Sequence, residues 1–357
     1  MSRGPARIVL AAGGTDGHVY PALAVAELIR ARGLGDPLFV TTALRREVAL
    51  IERAGFVAEV IPGTPWQNES LPGRAKACAA ALRGFAHARS VLRRHRAEAV
   101  IGFGGYATVG AILAARTLGI WTAIVEPNAE IGMANRLLAR VVNRLYVGMS
   151  TRVAPHFGYR ALRTGIPLRE AITHAHGEQP PFDRPRRVLV LADPSHSDFL
   201  DRHAPEVLRL VAAHGVPIEV LHQSDRQANV HYQAPHAETK PYIDDIGPVY
   251  RWADFVIARA GAGTLAELAL SSLPALLVPL SSAAENHQSK NALAYASEGA
   301  ALVVEETVWD DEQVAEKVVA ILTDPSKWHA MTARAQERAT PRSAAALLSD
   351  VESCIPR

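Results

Sequence analysis

What this chain of 357 residues lacks narrows its chemistry. It has two cysteines, Cys78 and Cys354, isolated and without metal-ligand spacing, which excludes a disulfide framework and fits a reducing compartment. The net charge is only +2, so bulk charge makes no case for nucleic acid. No run of 18 uncharged apolar residues occurs, so no segment is expected to span a membrane. At the N-terminus, MSRGPARIVLAAGG places basic residues before an apolar run, but the run is too short for a secretory signal and leads into a glycine turn. We read it as a first strand. The dinucleotide fingerprint is also missing. The glycine spacing of the first turn differs from G-x-G-x-x-G, and the second strand, 38–42, ends on Thr41-Thr42 without an acid to hold a ribose. A nicotinamide dehydrogenase is therefore disfavoured.

What is present is globular: 48% hydrophobic and 21% charged residues, in a length that suits two domains. Residues 8–10 read as a strand, followed by Gly13-Gly14-Thr15-Asp16-Gly17-His18 and a helix over 21–31. A glycine turn feeding a helix N-terminus is the usual phosphate cradle of doubly wound folds. Alternation continues with a helix at 45–54, a strand at 57–61 and a strand at 99–103 running into Gly104-Gly105-Tyr106. A helix at 109–118, a strand at 122–125, a turn holding Glu126 and Asn128, a helix from about Gly132 and a strand at 144–147 follow. Residues 151–185 lose the alternation and read as a connection. The pattern restarts with strands at 188–191, 218–221, 255–258, 275–278 and 301–304 and helices at 199–214, 311–323 and 325–335. The expected fold class is α/β: two doubly wound Rossmann-like domains facing across a cleft, with ligands at the carboxyl ends of the strands. We place the domains at 1–162 and 163–339, with a C-terminal helix at about 340–357 packing back on the first.

Two stretches leave alternatives open. Residues 72–97 carry Arg74, Lys76, Arg83, Arg89, Arg93, Arg94 and Arg96 with no acid before Glu98, and Cys78, Leu82, Phe85 and Leu92 at helical spacing. That is either a basic amphipathic helix on an anionic membrane surface or a solvated helix whose apolar stripe packs on the sheet. In RAGAGTLAEL, 259–268, a glycine turn and a helix start suit a nucleotide, but Thr264 and Glu267 also spell a capping box in which Glu267 touches no ligand.

GGTDGHVYPALAVAELIRARG (13–33), GFGGY (102–106), EPNAEIGMANRLLA (126–139), TGIPLR (164–169), HQS (222–224), YIDDIGPVYRWAD (242–254), RAGAGTLAEL (259–268) and NHQSKNA (286–292) together resemble the MurG family. These are UDP-N-acetylglucosamine transferases acting on the muramyl-pentapeptide of undecaprenyl diphosphate, and the resemblance spans nearly the full length. It implies a GT-B fold with UDP-N-acetylglucosamine held mainly by the second domain and the polyprenyl-diphosphate lipid acceptor by the first. By resemblance, Ile243 meets the uracil through its backbone, and Ala262, Gly263 and Thr264 face the nucleotide. Glu267 holds the ribose, Gln288 and Asn128 hold sugar hydroxyls, and Arg169 faces the diphosphate. Gly13 to Gly17, including Thr15 and Asp16, cradle the acceptor diphosphate with Gly104 and Gly105. Tyr106, Glu126 and Ser195 complete the substrate-binding set. His18 is the family's candidate base; read alone, it could equally cap the first turn of its helix. The resemblance also implies an anionic membrane surface as partner and a peripheral location on the cytoplasmic face of the cell membrane. Neither cofactor nor metal is expected: a histidine, with an ordinary pKa near 6.5, can take the acceptor proton, and an arginine and helix N-termini can stabilise the leaving UDP.

The chain departs from the family pattern at three turns. Where the family has a glycine-rich GGSxGA turn, residues 192–197 read Ala-Asp-Pro-Ser-His-Ser, and Asp193 and Asp198 would bring negative charge to the donor's diphosphate. Such a pair at 4 Å costs on the order of 1 kcal/mol in water and about 4 at an effective dielectric of 20. Asp16 stands in place of glycine, and Pro127 in place of glutamine. Three readings follow: the family's own transferase, a transferase with another donor or acceptor, and a nucleotide-sugar binder without turnover.

Overall fold

The computed structural model describes residues 7–14, 16–63, 71–149, 158–173, 184–192, 197–225, 230–232, 236–297 and 299–355. The chain forms two compact units, Met1–Arg169 with Arg342–Arg357, and Glu170–Pro341. In the first unit, β1 (Ile8–Ala12), α1 (Asp16–Ala31), β2 (Leu38–Thr41), α2 (Arg45–Arg53), β3 (Ala58–Val60), α3 (Leu71–His95), β4 (Ala99–Gly104), α4 (Gly105–Thr117), β5 (Trp121–Glu126), α5 (Met133–Leu138), β6 (Arg144–Val147) and β7 (Ala161–Arg163) follow one another. The seven strands are parallel, in the order β3-β2-β1-β4-β5-β6-β7. A parallel sheet covered on both faces needs strands apolar on both sides, and β1 is buried at all five positions. Its alternate residues serve opposite layers. Val9 and Ala11 pack with Leu92 of α3 and Ile112 of α4, while Ile8, Leu10 and Ala12 pack with Val25 and Ile29 of α1.

The second unit runs α6 (Glu170–Thr173), β8 (Arg186–Leu191), α7 (Asp198–Ala213), β9 (Ile218–Gln223), β10 (Ala237–Lys240), α8 (Ile246–Trp252), β11 (Phe255–Ala258), α9 (Ala262–Leu270), β12 (Ala275–Leu277), α10 (His287–Ala296), β13 (Ala301–Val303), α11 (Asp311–Leu322) and α12 (Pro325–Gln336). Its parallel sheet has the order β10-β9-β8-β11-β12-β13. Counted within the unit this is 3-2-1-4-5-6, the doubly wound order whose ligands lie where the winding reverses. Both sheets reverse beside their first strand, between β1 and β4 and between β8 and β11.

The last helix, α13 (Ser343–Cys354), belongs to the first unit, where Leu347, Leu348 and Val351 join the core of β1 and α1. Asp350 Oδ2 anchors it, accepting from the buried Tyr146 hydroxyl at 2.8 Å and from Arg144 Nε at 3.0 Å. Asp350→Ala strips both donors of their acceptor, and leaving such groups unsatisfied costs about 1–3 kcal/mol. A urea midpoint equal to that of the parent would show that this anchor contributes nothing.

Three expectations change. Residues 161–163 and 237–240 form strands that the sequence does not flag: both are short and half-exposed, so neither shows an apolar run. α3 does not pack through Cys78 and Leu82. It buries Ala77, Ala80, Ala88, Val91 and Leu92, while Leu82 is 71% exposed and Cys78 faces outward. The reason is close approach, for a side chain at Gly84 would meet the Pro62 carbonyl at 2.2 Å, so the face of small residues turns inward. α1 begins at Asp16, so His18 lies in its first turn rather than in the loop before it.

Candidate active site

In the first unit the reversal point is built from two glycine loops in contact. The β1–β4 register shifts after Ala11, setting Ala12 beside Gly104. Gly104 and Gly105 take φ of 121° and 80°. Thr108, buried in α4, fixes this turn: its Oγ1 accepts from the Gly104 N–H at 3.1 Å and lies 2.7 and 2.9 Å from the carbonyls of Gly104 and Ala11. His18 lies over the turn so closely that a Cβ on Gly104 would be 2.5 Å from its Nε2. Its Nδ1 is 2.9 Å from the Gly13 carbonyl oxygen. A carbonyl only accepts, so Nδ1 carries the proton, and in the neutral ring Nε2 carries the lone pair a base needs. This contact is not a helix cap, which would accept from N–H groups.

Glu126 differs in role from what the resemblance implies. It is 1% exposed, and its carboxylate accepts from the Asn128 N–H (3.0 Å) and Nδ2 (2.9 Å), the Gly132 N–H (3.0 Å) and Asn135 Nδ2 (3.0 Å). All four donors lie after β5, so the carboxylate shapes that loop and sets the Asn128 amide with Nδ2 inward. Asn135 was missed by sequence reasoning, although its nine-residue offset from Glu126 lies within one quoted motif. Gly17 is exposed in the first turn of α1, and Tyr106 is 36% exposed at the start of α4. The Arg169 guanidinium lies over the Tyr20 ring at 4.3 Å, a cation–π contact that ties it to α1. Thr15, Ser195, Asp193 and Pro194 lie outside the described residues, as does the side chain of Asp16.

In the second unit, α9 begins at Ala262 with Gly261 as its N-cap, so Gly263 and Thr264 are inside the first turn. The capping-box alternative therefore falls, because Thr264 is not the cap. Glu267 Oε2 accepts from the Tyr250 hydroxyl at 2.7 Å, another contact the sequence did not signal. Gln288 Oε1 accepts from the N–H groups of Ala260 (3.2 Å) and Leu280 (3.0 Å), which commits its oxygen and turns its amide nitrogen into the end that can meet a hydroxyl. The Ile243 N–H donates to Gln223 Oε1 at 3.0 Å, so a ligand contact through the Ile243 backbone falls to the Ile243 carbonyl. Arg259, 5% exposed, pairs with Glu306 at 2.7 Å, and Ser281 Oγ donates to the same carboxylate. Burial alone would raise the Glu306 carboxyl, but Ser281 and Arg259 hold it below its ordinary value.

Ser197 ends the altered stretch of sequence, and the first turn of α7 follows it. Of its two first-turn acids, Asp198 is exposed and Asp201 is 3% exposed. Asp201 accepts from Ser224 Oγ at 2.8 Å and lies 3.2 Å from His222 Nε2, while Tyr232 meets His222 Nδ1 at 2.9 Å. Burial would raise the Asp201 carboxyl, yet the neighbouring His222 and Ser197 and the bond from Ser224 keep it below its ordinary value. Its charge is therefore spent inside the fold. Only Asp198 of this pair carries charge at the surface.

Elsewhere in the first unit an open groove of about 960 Å³ is lined by Phe85, Leu113, Trp121, Val141 and Val142 together with Arg116, Arg140, Arg144 and Arg160. Among the described residues, no helix is long and apolar enough to cross a membrane.

The glycosyltransferase family 28 N-terminal domain matches residues 8–147, and the family's C-terminal domain matches 188–348. Two Rossmann-like units, each with a helix N-terminus at its reversal point and each matched by one half of this family, define the class: a hexosyltransferase of the GT-B type. The UDP-N-acetylglucosamine–N-acetylmuramyl-(pentapeptide) pyrophosphoryl-undecaprenol N-acetylglucosamine transferase of Nitratidesulfovibrio vulgaris is 35% identical over 354 residues, 96% of each chain. That of Magnetococcus marinus is 36% identical over 308 residues, 83% of each. The crystal structure of Acinetobacter baumannii MurG superposes with a TM-score of 0.78 at 25% identity, covering 97% of this chain and 99% of that one. The chain belongs to the MurG family.

Proposed function

We propose that the protein transfers N-acetylglucosamine from UDP-N-acetylglucosamine to the N-acetylmuramyl-pentapeptide of undecaprenyl diphosphate, giving lipid II for peptidoglycan synthesis. The observation that carries the reading is His18, aimed by the Gly13 carbonyl and seated on Gly104 at the N-terminus of α1. In this reading the first unit holds the acceptor, whose diphosphate lies against the glycine loops and the first N–H groups of α1 and α4. His18 Nε2 takes the proton of the attacking hydroxyl. The hydroxyl oxygen bonds to the anomeric carbon from the face opposite UDP, the bond to the leaving phosphate oxygen breaks, and the configuration inverts. Arg169 neutralises the charge that grows on UDP. In the second unit Ile243 meets the base, and Ala262, Gly263 and Thr264 meet the nucleotide. Glu267 accepts from the ribose hydroxyls through its carboxylate, and Gln288 and Asn128 meet the sugar.

The arginine-lined apolar groove and the outward Leu82 of the basic α3 support a peripheral place on the anionic cytoplasmic membrane face, where apolar side chains enter the interface and arginines meet lipid phosphates. The test of the reaction is labelled UDP-N-acetylglucosamine with a lipid acceptor analogue. A labelled lipid disaccharide is expected, and its absence at every enzyme concentration would sink the reading.

A further inference from the structure

We propose that Gln223 is a positioning residue for the donor, whose side-chain amide locks Ala192, at the end of β8, to the peptide beside the base. The inference rests on the donor-site reading above. Gln223 is the last residue of β9 and the last rung of two ladders, pairing with Leu191 of β8 on one side and Lys240 of β10 on the other. Past that rung the strands leave the sheet, and the amide takes over from the backbone. Its Nε2 donates to the Ala192 carbonyl at 3.3 Å, and its Oε1 accepts from the Ile243 N–H at 3.0 Å. Ala192 directly follows β8, and Ile243 belongs to the segment that leads into α8.

The chemistry selects glutamine. A planar amide offers a donor to a carbonyl on one side and an acceptor to an N–H on the other, as a peptide group does. Glutamate offers two acceptors, and methionine, of similar reach, offers neither bond. The groups it serves are themselves covered, Ala192 being 3% and Ile243 8% exposed, so water does not readily replace it. Its aim is fixed by its neighbours. His222 and Ser224, on either side of it in the chain, both engage the buried Asp201, which pins the end of β9 to α7. The two peptides that would meet opposite ends of a nucleoside diphosphate are thus held at a fixed spacing before the ligand arrives, which lowers the ordering cost of binding.

The test uses the full chain with Gln223→Met and Gln223→Glu, measuring calorimetric Kd for UDP and uridine and KM for both substrates. Met cuts both arms, and the Kd for UDP and the KM for UDP-N-acetylglucosamine are expected to rise about tenfold or more, with acceptor KM within about twofold. Glu keeps an acceptor for Ile243 but sets an acceptor against the Ala192 carbonyl. It should weaken UDP about tenfold while uridine changes by less than about threefold. Where Met fails to fold, Glu decides. UDP affinity within twofold of the parent in the folded variants overturns the proposal, and so does an equal loss of uridine and UDP in Gln223→Glu, which marks general loosening. Parent protein that binds no UDP overturns the donor-site reading itself, and the proposal with it.

Discussion

Replacing His18 by alanine is expected to lower kcat by about 10²- to 10⁴-fold, the range ascribed to a positioned general base. The loss should fall on kcat rather than on donor affinity, because His18 is assigned to the acceptor hydroxyl, whereas Ile243, Thr264 and Glu267, proposed to hold the nucleoside of UDP, lie in the second unit. Glutamine at this position is a sharper variant than alanine. Its nitrogen can still donate to the Gly13 carbonyl, so the loop contact survives, but the side chain cannot take a proton. His18→Gln should therefore match the alanine variant in rate and exceed it in stability. Initial rates at saturating substrates, with UDP titrations alongside, separate the outcomes. A variant within tenfold of the parent rate would remove His18 from the proton transfer.

The sequence made the central strands and their ends legible because a covered parallel sheet demands continuous apolar runs, and glycines mark the turns that follow them. IVL at 8–10 and FVIA at 255–258 read as strands, and the strands that contain them, IVLAA and FVIA, are buried throughout. Edge strands obey no such demand: AETK of β10 is half-exposed and carries no signal. Polar contacts were hidden for another reason. The pattern Thr-x-x-Glu at 264–267 is the same whether the helix starts at Thr264 or two residues earlier, and only the backbone at Gly261, φ −64° and ψ 138°, decides which residue is the cap. Glu126 shows the converse. A carboxylate at the end of a strand in a ligand-binding sheet suggests a ligand contact, yet four donors after the strand converge on it, two backbone N–H groups and two side-chain amides whose direction no sequence pattern records. Gln223 was visible only as the middle of His-Gln-Ser; its two partners lie 31 and 20 residues away on other loops.

Gly105→Ala is expected to be the most damaging single-methyl change in the first unit's glycine loops. The added Cβ would lie 1.7 Å from the Gly13 carbonyl oxygen and 2.5 Å from its carbon, at a φ of +80°. Positive φ alone costs a residue with a Cβ about 1–2 kcal/mol. Overpacking adds about 1–3 kcal/mol. Gly119, after α4, separates the two terms, for its φ is +71° but a Cβ there meets nothing within 4 Å. Gly119→Ala should pay the conformational term only, and the difference between the two urea midpoints measures the clash. The functional consequence follows from what must move. To admit the methyl, the Gly13 carbonyl has to retreat by about 1 Å or more, and that carbonyl is the acceptor that aims His18, so a displacement of this size should cost the rate about 10²-fold. Gly119→Ala should leave the rate unchanged. Because Gly105→Ala acts on the rate through His18, adding it to His18→Ala should cost little further activity, whereas its effect on stability should persist in the double variant. Losses that multiply in the double variant would mean that the glycine loop serves transfer by a route independent of the histidine.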